Sequence, residues 1–281
     1  MFQDVAIRTV QQWQDTEGRI FMNNIKIADA FANGKAFIPF ITCGDPNLET
    51  TKEVVHAAVE AGANLIELGI PFSDPTAEGV TIQAANERAL AGGVTTDKIF
   101  TMVEEIREKV TIPMVFMTYA NVLYSYGLER FAKRCQEIGI QGVILPDVPF
   151  EEKEEFDSVL SQYDVDLVSL IAPTSEDRIT EIAKDAKGFI YLVSSLGVTG
   201  VRSKITTDIG AICEKIKSIT DAPVGVGFGI STPEQAAKMA SFSDGAIVGS
   251  AIIKIIEKEG AEAPKHVGEY IKNMADAVHA L

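Results

Sequence analysis

Glu67 stands among apolar neighbours, in the run Leu65-Ile66-Glu67-Leu68-Gly69. A carboxylate inside such a run points into a core or a pocket. Burial there raises its pKa toward neutrality and suits it to exchange a proton with a substrate. The competing reading is a structural acid paired with a hydroxyl or an amide. The segment that follows, Pro71 to Val80, carries Ser73, Asp74 and Glu78. A second carboxylate facing the first across one opening would divide acid and base duties between the two. Taken alone, Glu78 reads as a solvated surface acid.

Two further segments have the chemistry of anion binding. Gly227-Phe228-Gly229-Ile230-Ser231-Thr232-Pro233 ends an apolar run and opens a helix, with Ser231 or Thr232 as N-cap and Pro233 in the first turn. Gly249-Ser250-Ala251 repeats the arrangement. Glycine lets backbone N–H groups approach an anion, and each helix N-terminus adds positive potential. A third segment, Ser194-Ser195-Leu196-Gly197-Val198-Thr199-Gly200-Val201, has the small residues of a lid or of an ordinary connector. Other reaction types lack their groups. No strand end carries the desolvated lysine of Schiff-base chemistry, and His56, His266 and His279 all fall in helical stretches rather than converging on a metal. Carboxylates remain as the acid/base groups.

The elements that must position these residues alternate along the chain. Short apolar runs occur at Ala36–Thr42, Leu65–Leu68, Met114–Thr118, Gly142–Leu145, Asp166–Ile171, Phe189–Val193, Val224–Phe228 and Gly245–Val248. Apolar on nearly every residue, they read as strands of a parallel sheet buried on both faces. Between them lie amphipathic patterns at Glu49–Ala61, Thr81–Ala91, Thr96–Lys109, Leu128–Ile138, Phe150–Gln162, Glu176–Ala186, Lys204–Ile219 and Pro233–Ala240. Eight strands alternating with helices and no break in composition predict a single (β/α)8 TIM barrel of the α/β class, with a short N-terminal helix and extra helices. An open doubly wound sheet is the runner-up. It wants G-x-G-x-x-G after the first strand, where this chain has Thr42-Cys43-Gly44-Asp45-Pro46. In a barrel the chemistry sits at the C-terminal ends of the strands, which selects Phe40, Glu67, Tyr119, Asp147, Tyr191, Gly229 and Gly249.

Composition narrows the partners. With 281 residues and a formal net charge of −15, the chain is a poor match for nucleic acid or anionic membrane. A small phosphorylated ligand stays compatible, because local backbone dipoles can hold phosphate on an acidic protein. Cys43, Cys135 and Cys213 have neither disulfide nor zinc spacing and read as small apolar residues of a reduced cytoplasm. No apolar run approaches about 20 residues, and the N-terminus, with Asp4, Asp15 and Glu17, is not read as a secretory signal. Residues 1–21 are expected to be a loosely ordered extension, and residues 22–281 the catalytic barrel.

Four segments together resemble the tryptophan synthase α subunit. They are Phe37-Ile38-Pro39-Phe40-Ile41-Thr42-Cys43-Gly44-Asp45-Pro46, Glu67-Leu68-Gly69-Ile70-Pro71-Phe72-Ser73-Asp74-Pro75, Gly197-Val198-Thr199-Gly200 and Gly227-Phe228-Gly229-Ile230-Ser231. The resemblance runs from about Met22 to the C-terminus. It implies retro-aldol cleavage of indole-3-glycerol phosphate to indole and glyceraldehyde 3-phosphate, with no metal or organic cofactor in this chain. It implies Glu67 as the group that protonates indole C3 and serves the glycerol hydroxyl as base, and Glu78 as the acid that binds the indole N–H. Phe40, Ile171 and Phe228 are implied as the indole slot, with Tyr119 and Asp147 close by. Tyr191 and Thr199 are implied near Glu67, and Gly200, Gly229, Gly249 and Ser250 as the phosphate cradle. The implied partner is a pyridoxal-phosphate β subunit in an α2β2 complex, faced by Pro71 to Val80 with Asp74 and by the loop after the sixth strand. The sequence departs from the family at Glu78, usually aspartate, at Ser195, commonly arginine, and at Val80, commonly proline. Two other readings compete: a sister phosphate-binding barrel, and a catalytically weak α homologue acting mainly as activator of a β subunit. An indole-glycerol-phosphate synthase would need a catalytic strand lysine, which is absent.

Overall fold

The structure is a computed structural model and describes residues 13–14, 20–21, 25–173, 176–193, 208–227 and 229–281. Eight strands run in chain order as β1 (Ala36–Thr42), β2 (Ile66–Gly69), β3 (Met114–Met117), β4 (Gly142–Ile144), β5 (Asp166–Ile171), β6 (Lys187–Val193), β7 (Val224–Gly227) and β8 (Gly245–Val248). They pair in sequence order, all parallel, and β8 closes onto β1, so the sheet is a closed barrel. The (β/α)8 expectation is met. Trp13–Gln14 and Ile20–Phe21 form a separate antiparallel pair outside the barrel sheet. No described helix is long and apolar enough to cross a membrane.

The surrounding helices are α1 (Leu48–Glu60), α2 (Val80–Ala91), α3 (Thr96–Arg107), α4 (Ala120–Tyr126), α5 (Leu128–Ile138), α6 (Glu154–Leu160), α7 (Glu176–Lys184), α8 (Ile209–Lys217), α9 (Pro233–Phe242), α10 (Ser250–Glu259) and α11 (Ala263–His279). Most of them present an apolar stripe to the barrel. In α5 the stripe is Phe131, Ala132, Cys135 and Ile138, at spacings of three and four. The three cysteines are buried and free. His56 lies on α1, and His266 and His279 on α11.

The sequence misplaced some boundaries. The stretch Phe150–Gln162 is not one helix. It divides into a 3-10 turn at Phe150–Glu152, the short α6, on which Phe156, Asp157 and Leu160 are buried, and a second 3-10 turn at Ser161–Tyr163. Helix α4 went unread: it is seven residues long with only Leu123 buried, too little for a periodic signal. Strand β6 begins at Lys187, two residues early, and the register shifts between Val168 and Ser169 opposite it. The first residues of the expected helix at Lys204–Ile219 lie outside the described residues; α8 starts behind Asp208, whose side chain caps Ala211 N.

The N-terminal end of the barrel is stoppered by the predicted short helix, a 3-10 helix at Ile27–Phe31. Ile27 enters where two strands lack side chains. A Cβ at Gly142 would lie 2.8 Å from Ile27 Cδ1, and one at Gly188 2.7 Å from the same atom. Beside that end sits a buried cation without a carboxylate. Arg107 Nη1 donates to Ile112 O (2.6 Å) and Val110 O (3.2 Å), and Nη2 donates to Gly139 O and to Gln141 Oε1 (3.0 Å). Burial holds its pKa down to about 9. Carbonyl dipoles from the chain entering β3 and β4 therefore stabilise the charge. Arg107→Met takes the donor from Ile112 O and Val110 O, while Gly139 O keeps Gln141 Nε2 and Gln141 Oε1 keeps Met114 N, so urea unfolding should show a loss of roughly 3 kcal/mol. A change within about 0.5 kcal/mol would mean that the guanidinium contributes nothing net.

Candidate active site

Strand parity decides which side chains enter the mouth of the barrel. On β1 Phe40 points inward and its neighbours Pro39 and Ile41 point toward the helices, since successive residues alternate. Phe40 pairs with Glu67, and Glu67 with Val115, so the acid faces the same interior. A single cavity is lined by Phe40, Glu67, Ile82, Met117, Tyr191, Gly229, Ile230, Ile247, Gly249 and Ser250. The strand acid and both glycine turns, far apart in sequence, thus open onto one space. That space is about 30 Å³, enough for roughly two waters. A bicyclic ligand can be seated only if the walls part.

Glu67 is 1% exposed, and neither carboxylate oxygen has a hydrogen-bond partner among the described residues. Burial pushes its pKa up to about 8, and the charge of Glu78 adds to the shift. Burial likewise raises the Tyr191 phenol well above its usual range, with the Glu67 charge adding. Glu78, which alone read as a surface acid, is 5% exposed. Burial lifts its pKa to about 7 against two donors that favour the charged form, Asn86 Nδ2 at 2.7 Å and the Tyr119 hydroxyl. Tyr119 O also accepts from Ala77 N at 3.2 Å and its ring packs 5.2 Å from Phe72, so it anchors the segment before α2. The two carboxyls are therefore unlike: among the described residues one has no donor, and the other is held by two.

Glycines shape this mouth by what they omit. A Cβ at Gly69 would fall 2.5 Å from Phe40 Cζ, and one at Gly227 2.5 Å from the Tyr191 hydroxyl oxygen. Both aromatic rings need those bare positions to lie across the barrel. The two helix N-termini also differ. At α9, Thr232 Oγ1 accepts from Gln235 N, and Gln235 Oε1 accepts from Ser231 N (2.8 Å) and Thr232 N (3.2 Å), so the helix caps itself. At α10 the N-cap is Gly249, with no side-chain cap. The α10 turn is the better anion end.

Other expected residues stand elsewhere. Ile171 is buried at the end of β5 and does not line the cavity. Asp147 is exposed and accepts from Ala120 N at 3.1 and 3.2 Å, which caps α4 and takes it off the slot. Pro71 is buried, and Asp74 is exposed and bonded to Ser73 Oγ at 2.5 Å. Val80 starts α2 and is 80% exposed. Ser195, Thr199, Gly200 and Phe228 lie outside the described residues. Sequence reasoning missed Ile82, Met117, Ile230, Ile247 and Asn86. Only Asn86 left a signal: it is an amide on the buried stripe of α2 with Ile82, Ala85 and Ala89.

A family model described as "Tryptophan synthase alpha chain" matches residues 27–279. The chain belongs to the tryptophan synthase α family. The tryptophan synthase alpha chain of Lacticaseibacillus casei is 46% identical over 255 residues, covering 91% of this chain and 96% of the relative. That of Lactiplantibacillus plantarum is 52% identical over 227 residues, covering 80% and 86%. Among solved structures, Mycobacterium tuberculosis tryptophan synthase superposes with a TM-score of 0.82 at 31% identity, covering 91% of this chain and 98% of that one. A tryptophan synthase complex from Pyrococcus furiosus gives 0.79 at 33%, covering 87% and 99%.

The buried acid Glu67 has a consequence for stability. Folded Glu67 keeps its proton up to about pH 8, whereas an unfolded glutamate releases it near 4.5. Its contribution is therefore most favourable below pH 4.5 and falls as pH rises to 8. Glu67→Gln removes that dependence. Denaturant melts at pH 5 and pH 9 should show the gap between variant and wild type widening in the variant's favour by roughly 4 kcal/mol. A constant gap would place Glu67 in a wet or paired environment.

Proposed function

We propose that this chain cleaves indole-3-glycerol phosphate to indole and glyceraldehyde 3-phosphate, as the α subunit of a cytoplasmic tryptophan synthase, with Glu67 as the proton-transferring group. The observation that carries the reading is the shared cavity: the dry Glu67 and the α10 turn at Gly249 and Ser250 line the same space. The phosphate sits on the backbone of Gly249 and Ser250, with Gly229 beside it, where the helix dipole offsets its charge. The indole ring lies against Phe40, with Ile82, Met117, Ile230 and Ile247 supplying further apolar wall. Phe228, Thr199 and Gly200 belong to the same proposal.

The chemistry balances on one proton. Near neutral pH Glu67 is protonated, because burial and the Glu78 charge oppose its ionisation. It gives the proton to indole C3 while Glu78, whose ionised form Asn86 and Tyr119 favour against burial, accepts a hydrogen bond from the indole N–H. The Glu67 carboxylate so formed takes the proton from the adjacent glycerol hydroxyl. The carbon–carbon bond breaks, its electrons return to the ring, and the hydroxyl carbon becomes the aldehyde. Glu67 ends protonated, as it began. Tyr191 lines the same cavity, close enough for the Glu67 charge to raise its phenol pKa further. No step requires a cofactor in this chain; pyridoxal phosphate belongs to the β partner, which takes up the indole. Pro71 to Val80, with exposed Asp74 and Val80, forms part of the face toward that partner in the α2β2 complex.

Indole release from indole-3-glycerol phosphate, measured with and without a β subunit, tests this. Glu67→Gln should lower kcat by about 10³-fold, within the range of general acid–base catalysis. Glu78→Asp should stay active and Glu78→Ala should lose at least about 100-fold. Equal rates for wild type and Glu67→Gln, or a harmless alanine at 78, would remove the assigned roles.

A further inference from the structure

The strongest charge pair near the site touches none of the reacting groups. Asp45, in the turn after β1, is fully buried. Arg88 on α2 grips it with both arms, Nε to Oδ1 at 2.8 Å and Nη2 to Oδ2 at 2.8 Å. The remaining arm, Nη1, reaches Glu257 Oε1 on α10 at 2.9 Å. One guanidinium thus joins the turn behind Phe40, the helix behind Glu78 and the helix that begins at Ser250.

We propose that Arg88 is a positioning residue: its fork on Asp45 fixes the roll of α2 so that Asn86 keeps donating to the Glu78 carboxylate. Asn86 and Arg88 are two residues apart, so they project about 200° from each other around the helix. A helix held on both sides cannot roll without breaking one contact. The Asn86 bond is a single amide at 2.7 Å, whereas the Asp45 bond is bidentate, charge-assisted and buried at its acceptor. The fork is therefore the stronger constraint, and Asn86 follows it. Ile82, one turn before Asn86, carries the same placement into the cavity wall. The titratable groups facing Glu78 are Glu67 on β2 and Tyr119 ahead of α4; those facing Arg88 are Asp45 and Glu257.

Loss of the fork would let Asn86 drift from Glu78, and a carboxylate that loses a donor becomes harder to ionise. The inference rests on the lyase reading for its consequence in catalysis, but its first readout does not need activity. In the ligand-free protein, carboxyl-carbon NMR with the Glu78 signal assigned by Glu78→Gln gives that group's titration directly. Arg88→Met should move the Glu78 midpoint up by about one pH unit. Arg88→Lys, which keeps charge without the fork, should give a smaller upward shift. The acidic limb of the kcat profile for indole release should move with the NMR midpoint. Asp45→Asn, a milder cut at the same bond, replaces Arg88→Met if that variant does not fold. A Glu78 midpoint unchanged in a folded Arg88→Met or Asp45→Asn protein would overturn the inference. A wild type that releases no indole would sink the lyase reading and leave the NMR result standing.

Discussion

Two buried carboxyl groups stand close enough for the charge of Glu78 to raise the pKa of Glu67, and this constraint organises the rest of the molecule. An unpaired charge in such a place is costly, so the protein can hold one acid neutral near pH 7 by giving it no donor at all. Glu67 is in that condition, with both oxygens unpartnered among the described residues. Its neighbour is handled in the opposite way, through an amide and a phenol aimed at Glu78. Identical functional groups are therefore raised to different degrees, to about 8 at Glu67 and about 7 at Glu78, for a local and identifiable reason. The difference costs stability above neutrality, which is a common cost of a poised active site.

The barrel supplies the placement. Parallel pairing of β1, β2 and β3 sets Phe40, Glu67 and Val115 in register, so the acid cannot rotate out of the interior without a slip of the ladder. Closure of β8 on β1 brings the Gly249 turn beside Phe40, although about two hundred residues separate them in the chain. Bare positions at Gly69 and Gly227 then admit the Phe40 and Tyr191 rings. Large rings and missing side chains make a narrow mouth, about 30 Å³ at rest, that must widen for a substrate.

Much of this was legible in the sequence. The strands are unbroken apolar runs because both of their faces are covered, and that pattern survives without any knowledge of the fold. Glu67 could be singled out because an acid in such a run has nowhere polar to go. What failed to show was whatever depends on a second element. Glu78 looks solvated until Tyr119 and α2 close over it. Asp147 looks like a site residue until α4, itself too short to leave a periodic trace, takes its carboxylate as a cap. The two glycine turns look equivalent until Gln235 is seen to cap α9 with its own side chain. The long pair of Arg88 and Asp45, 43 positions apart, has no local signature at all.

The central claim is that Glu67 is protonated at neutral pH because it is dry and faces Glu78. Its carboxyl titration, followed by infrared absorption or carboxyl-carbon NMR and assigned by difference against Glu67→Gln, addresses this directly. The account predicts a midpoint near 8 that drops when Glu78 is replaced by glutamine. A midpoint in the ordinary glutamate range near 4.5, indifferent to the residue at 78, would contradict it.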